Sequence, residues 1–270
     1  MNRALNVVLA QLSPRLRETR ANIGTMEMVI ADHPDADLLV FPELFLSGYT
    51  TVGLDDLAVD PKGDEVERVA RTARDNSTAV IFGAPERYGD GFANSAFYVD
   101  RNGTLAGIYR KTHLFGSERE AYKPGDDLLV VDFEGVKVGL MICFDVEFPE
   151  VARTLAQAGA NLFVTISANM KPFGRDHHVF AMARALENGM PHAYVNMVGQ
   201  GEEFEFVGGT MAVSADGDLL VETGAIEEEV LEIKLEPLVK SAVRPDYLSQ
   251  LRSPFPTIQE NPSVRHDSEA

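Results

Sequence analysis

The chain has one cysteine in 270 residues, Cys143, and no tryptophan. A single cysteine excludes any intrachain disulfide, so the fold must be held by its core alone, as suits a reducing compartment. Positive charge is scarce. Twenty-four Lys and Arg stand against 42 Asp and Glu, a formal net charge of −18. Such a surface repels phosphate backbones, and no nucleic-acid partner is expected. No apolar run approaches the ~20 residues that a membrane span requires. The first twelve residues carry one positive charge and a short apolar run broken by Asn6, which reads as a first strand rather than a signal peptide. The expected location is cytoplasmic, with no membrane partner. No histidine–cysteine cluster suggests a metal.

What is present is a core. Hydrophobic residues make up 45% of the chain, the level of a globular protein. Short β-prone apolar runs at 5–12, 37–41, 79–84, 136–142, 161–166 and 193–197 alternate with helical patterns at 15–31, 64–76, 149–158 and 176–188. Further strands are read at 94–100, 104–110, 128–133, 209–214, 219–223 and 229–235. Tight-turn signals join several of them, such as Asn102-Gly103 and Glu134-Gly135. Helices separated by groups of strands predict an α/β protein in which two sheets face each other inside and helices lie outside. No linker divides the chain, so one domain is expected over residues 1–252. A polar, Pro-containing tail follows over 253–270, either disordered or laid along a partner.

Three strand ends carry residues able to do chemistry. Cys143 follows the run Val138–Ile142, and Pro149 then opens a helix. In α/β proteins that edge carries ligand sites. Glu43 follows Phe41-Pro42 after a buried strand, and Lys111 ends another strand. A carboxylate can take the thiol proton, and an ammonium can stabilise a thiolate or a developing oxyanion. Plainer readings stand beside these: Cys143 as a small buried hydrophobe, Glu43 as a turn cap, Lys111 as a surface lysine and His113 as a structural hydrogen-bonder.

The neighbouring residues add more. Phe41-Pro42-Glu43-Leu44-Phe45-Leu46-Ser47-Gly48-Tyr49 resembles the first signature of the nitrilase, or carbon–nitrogen hydrolase, superfamily. Tyr109-Arg110-Lys111-Thr112-His113-Leu114-Phe115 resembles its second, and Ile142-Cys143-Phe144-Asp145-Val146-Glu147-Phe148-Pro149-Glu150 its third. Their order and separations match as well, and the likeness runs over about residues 4–255. The resemblance implies a four-layer αββα sandwich and a hydrolase that needs no cofactor or metal. It implies Glu43 as general base, Cys143 as nucleophile and Lys111 as oxyanion stabiliser, with the backbone N–H of Phe144 as second donor. A further family glutamate falls on Glu118, with Glu120 as the solvent-facing alternative. Tyr49, Phe115, Asn169 and Met170 are expected in the pocket wall from their places beside the signatures.

Nitrile-hydrolysing members read Cys-Trp-Glu at the nucleophile, whereas this chain reads Cys143-Phe144-Asp145. The resemblance therefore points to an amidase acting on a small aliphatic amide through a cysteine thioester. An ω-amidase or an N-carbamoyl amine hydrolase of the same fold is the alternative, ahead of a nitrilase or a silent binding protein. Relatives acting on dicarboxylate monoamides carry Arg where this chain has Glu147. A carboxylate there would repel a substrate carboxylate if it enters the pocket. If it instead pairs with an arginine outside, it would not. Arg175 and Arg184 are the candidate cations. The family also implies a homodimer or larger homo-oligomer, paired through helices at 149–158 and 176–188 whose exposed faces should then be apolar.

Overall fold

A computed structural model describes residues 4–237 and 245–252. The predicted tail at 253–270 lies outside the described residues. The first half of the chain builds β1 (Leu5–Gln11), α1 (Thr19–Asp32), β2 (Leu38–Val40), α2 (Leu54–Leu57), α3 (Asp64–Asn76), β3 (Ala79–Tyr88), β4 (Gly91–Val99), β5 (Leu105–Arg110) and α4 (Glu118–Ala121). The second half builds β6 (Val130–Phe133), β7 (Val136–Ile142), a 3-10 turn at Cys143–Glu147, α5 (Pro149–Gln157), β8 (Leu162–Ser167), α6 (Gly174–Asn188) and β9 (His192–Asn196). Five short strands complete it: β10 (Val198–Gln200), β11 (Glu205–Val207), β12 (Met211–Val213), β13 (Leu219–Glu222) and β14 (Glu229–Leu235).

Two six-stranded sheets result. One has the order β14-β1-β2-β3-β4-β5 and the other β13-β12-β9-β8-β7-β6. The centre of each is a parallel triplet, β1-β2-β3 and β7-β8-β9. Strands buried on both faces read as continuous apolar runs rather than alternations, and these do. Leu5, Val7 and Leu9 of β1 point between the sheets, where they join Leu38, Ile81, Leu140, Ile142, Val164 and Val195. The residues between them, Val8 and Ala10, face Ile23, Met26 and Ile30 of α1 and Val66 and Val69 of α3. On the second sheet Met141 and Phe163 face Val151 and Leu155 of α5, and Tyr194 faces Ala181 and Ala185 of α6. The layers are therefore helix, sheet, sheet, helix.

Several boundaries differ from the sequence reading. The first helix begins at Thr19 rather than Arg15. Arg17 is left-handed (φ 61°), and Asn22 binds the N–H and C=O of Arg15 through its side chain. β3 and β4 are longer than the apolar run, forming one hairpin whose turn is eased by Gly89 (φ 60°). Residues 202–205 close the β10–β11 hairpin, with Glu202, Glu203 and Glu205 exposed. Arg17 and Thr50 bind Glu202, and Phe204 packs on Tyr49. The exposed face of α5 is polar (Glu150, Thr154, Gln157), against expectation, whereas α6 exposes Val179.

Candidate active site

The ends of β2, β5, β7 and β8 meet at one rim of the sandwich, and each hands over to a loop carrying a polar side chain. After β2 the chain turns sharply, with Leu44 left-handed at φ 48°. The turn is laced to β3 by Phe41 N–H to Ile81 O (2.8 Å), Gly83 N–H to Pro42 O (3.1 Å) and Leu46 N–H to Gly83 O (3.1 Å). Gly83 is required here, because a Cβ would lie 2.3 Å from Leu44 N. This clamp aims Glu43 inward, fully buried.

Lys111, 1% exposed, reaches Glu43 Oε1 at 2.7 Å and both oxygens of Glu118 at 2.9 Å. Burial would pull the Lys111 ammonium down, but Glu118 and Glu43 outweigh it and hold the group well above its ordinary value. Glu118 is fully buried at the start of α4. It also accepts from Tyr49 OH (3.0 Å) and from the N–H of Phe115 (2.8 Å). Glu120 is exposed, so the buried member of the pair is Glu118. Asn94, in the middle of β4, donates to Glu43 Oε1 (2.7 Å) and Glu118 Oε1 (3.2 Å). The sequence reading passed over Asn94, which there stands at the start of the strand read at 94–100.

Glu43 Oε2 is buried with no hydrogen-bond partner among the described residues. Desolvation raises the Glu43 pKa, partly opposed by Lys111. Cys143 opens the 3-10 turn in a left-handed conformation (φ 46°), a geometry that costs a non-glycine residue of order 1 kcal/mol or more. Burial and the neighbouring Glu43 push its thiol well above the ordinary value, while Lys111, the Ser167 hydroxyl and the Ala168 N–H pull the other way. The resting sulfur is thus a protonated thiol that needs a base. The N–H of Phe144 is among the first of the turn, where no intrahelical acceptor exists.

Asp145 ties the lysine loop to the cysteine turn. Its Oδ2 accepts from Tyr109 OH (2.7 Å) and Ile142 N–H (3.0 Å), and its Oδ1 from Thr112 Oγ1 (2.8 Å) and His113 N–H (3.0 Å). His113 Nδ1 lies 3.0 Å from the same oxygen, and its ring stacks on Phe148 at 3.8 Å. It is a structural hydrogen-bonder.

Tyr49, Lys111, Cys143, Asn169 and Met170 line a tight pocket of about 20 Å³, together with Phe115, Phe144, Glu147, Phe173 and His177. All four wall residues expected from sequence line it, and so does Phe144. Phe173 and His177 were missed: Phe173 caps α6, His177 lies in its first turn, and neither stands within a signature. Glu147 enters the pocket. Arg184 instead holds the main-chain oxygens of Val146 (2.9 Å) and Glu147 (3.1 Å), and Arg175 lines a separate cavity. Among the described residues no group of His, Cys, Asp and Glu is arranged to hold a metal, and no helix is long and apolar enough to cross a membrane.

The family model for carbon–nitrogen hydrolases matches residues 6–243. The chain is 38% identical to the (R)-stereoselective amidase of a Pseudomonas species over 92% of both proteins. It is 30% identical to the 2-oxoglutaramate amidase of Bacillus subtilis, over 83% of this chain and 87% of that protein. By fold it is similar to the amidase from Nesterenkonia sp. AN1, with a TM-score of 0.82, 28% identity, and 93% and 95% of the two chains covered. Structures of that amidase include one with butyramide and one with the acetamide moiety of fluoroacetamide added covalently at the active-site cysteine. The chain therefore belongs to the carbon–nitrogen hydrolases of the nitrilase superfamily. It is an enzyme of that class, and its αββα sandwich is the superfamily's fold.

Proposed function

We propose that the protein hydrolyses a small aliphatic amide to a carboxylic acid and ammonia through a thioester on Cys143. The observation that carries this reading is the meeting of three strand-end residues: Lys111 and Cys143 line one pocket, and Glu43 is buried against Lys111 at 2.7 Å. Glu43 Oε2, buried and unpartnered, takes the thiol proton as sulfur attacks the amide carbon. The carbonyl oxygen becomes an oxyanion held by Lys111 Nζ and the N–H of Phe144. The ammonium has three protons. Those not shared with Glu43 and Glu118 remain for the substrate. Collapse breaks the C–N bond, and Glu43 returns its proton to the leaving ammonia. Water then attacks the thioester and gives a proton to Glu43; collapse breaks the C–S bond, Glu43 returns that proton to sulfur, and the acid leaves. Glu118 and Asn94 act as positioning residues that keep Lys111 and Glu43 in place.

The pocket supports an amide over a nitrile, since the residue after the nucleophile is Phe144 and the chain has no tryptophan. It also favours substrates without a terminal carboxylate. Glu147 lines it, Glu43 and Glu118 are buried against Lys111, and neither Arg175 nor Arg184 lines it. We place this chemistry in a single domain over residues 1–252, cytoplasmic, and in a homodimer paired through α6, which sedimentation at micromolar concentration would check. The test of the reaction is ammonia release from propionamide and butyramide beside succinamate and glutaramate. Cys143→Ala should lose turnover while melting as the wild type does. Turnover near the wild-type rate would remove Cys143 as nucleophile, and a preference for glutaramate would move the protein to the ω-amidases.

A further inference from the structure

One wall of the pocket carries a charge that the hydrolysis above does not use. Glu147 ends the 3-10 turn that Cys143 begins, and both line the pocket. Arg184 does not neutralise it, being engaged with main-chain oxygens and with Glu187 at 2.7 Å. The Glu147 carboxylate meets only the buried His177, through Oε1 at 3.3 Å, while the other imidazole nitrogen lies 2.8 Å from Tyr194 OH. Its Oε2 has no protein partner among the described residues, and the side chain is 28% exposed. A carboxylate oxygen is thus left to the pocket.

Four aromatic rings share the wall with Asn169, Met170 and His177. Tyr49, Phe115, Phe144 and Phe173 all line the pocket. Phe115 meets Phe144 and Phe173 edge to face, at 5.4 and 5.9 Å between centroids. Aromatic rings lining the same pocket as a carboxylate are surroundings that attract an organic ammonium, through the ring quadrupoles and a charge-assisted hydrogen bond. They offer a carboxylate nothing, and to a methyl group they offer burial alone. Lys111, the competing cation, is already held by Glu43 and Glu118.

We infer that the acyl chain of the substrate bears a protonated amine one or two carbons from the amide carbonyl, seated between Glu147 and the phenyl rings. This rests on the amidase reading and narrows its substrate class from neutral aliphatic amides to amino-substituted ones.

Isosteric pairs test it. Glycinamide differs from propionamide, and β-alaninamide from butyramide, by an ammonium in place of a methyl group. Ammonia release is measured at about pH 7, below the amino pKa of about 8. The ammonium member of at least one pair should have a kcat/KM about tenfold above its isostere, the scale of one partly buried charge contact. In Glu147→Gln that ratio should fall to about one, and in Glu147→Asp much of it should return. Because the ratio is taken within each protein, a variant that folds only in part still reads correctly. A wild type that treats the members of both pairs alike, or prefers the neutral ones, overturns the inference and leaves the amidase reading standing. So does a ratio unchanged in Glu147→Gln, which would place the ammonium elsewhere. Ammonia from none of the four compounds would overturn the amidase reading and this inference together.

Discussion

Gly83→Ala is a one-carbon change that never touches substrate. The added Cβ would lie 2.3 Å from Leu44 N, 2.6 Å from Pro42 O and 2.7 Å from the carbonyl carbon of Glu43. All three are backbone atoms, so no side chain can swing away. Ordinary contact begins near 3.4 Å. The Glu43 turn must therefore back off by about 1 Å, a displacement that can cost on the order of 10²-fold in rate when it moves a catalytic group. Overpacking of a fitted core adds a stability loss of about 1–3 kcal/mol. The hydrogen bonds from Gly83 N–H to Pro42 O and from Leu46 N–H to Gly83 O should lengthen with the turn. The assay is kcat for ammonia release on the best amide, with the melting temperature measured on the same preparation. The expected result is a folded protein with a modestly lowered melting temperature and a kcat reduced about 10²-fold. Wild-type kcat with an unchanged melting temperature would show that Glu43 is not positioned through this contact.

Three further outcomes follow from the same geometry. Lys111→Ala should lose at least about 10²-fold in kcat and, measured by denaturant unfolding, about 3–5 kcal/mol of stability, because it strands two buried carboxylates. The acid limb of the kcat/KM profile should lie above the ordinary carboxylate value of 4.5, since burial raises Glu43. Protonation removes the base, so the rate should fall as pH falls through that raised value. His192 is buried between Thr165 Oγ1 (2.7 Å) and Ala181 O (3.1 Å), and burial lowers its pKa from 6.5 to about 4. The unfolded chain takes up this proton first, so the His192 contribution is fully present above about pH 6.5 and is lost as pH falls to about 4. The loss is about 3 kcal/mol, read as a falling melting temperature that His192→Leu should flatten over that window.

Much of this was legible in the sequence because the relevant signals are local. The runs around Val138–Ile142 and residues 161–166 are apolar on both faces, and only a doubly covered sheet accommodates that. Glu43, Lys111 and Cys143 stand where such runs stop, which is where strand ends expose side chains. Residues outside the signatures left a weaker trace. Asn94 looks like any polar residue entering a strand, and its role depends on Glu43 and Glu118 arriving from distant segments. His177 and Phe173 reach the pocket from α6, and helix periodicity says nothing about which sheet edge a helix start overhangs. The side chain of Glu147 could be assigned to solvent or to the pocket only once Arg184 was seen to engage the main chain. The β10–β11 hairpin offers no apolar run to read, because exposed Glu202, Glu203 and Glu205 stand around Phe204 and Phe206, which pack against Tyr49.

The pairing of β14 with β1 has a consequence in time. Leu5 lies opposite Leu235 and Gln11 opposite Glu229, so β1 waits for a strand made long after it. Until the ribosome has released residue 229 and those after it, Val7, Val8, Leu9 and Ala10 form an uncovered apolar edge, the kind that recruits other chains. Glu43, Lys111 and Glu118 are all synthesised by then, while the outer strand of their own sheet is still missing. Contacts of such long sequence separation slow folding. The yield of active protein should therefore respond to the rate of translation and to chaperone supply more than the stability of the finished sandwich suggests. Chains released early would leave the same edge open.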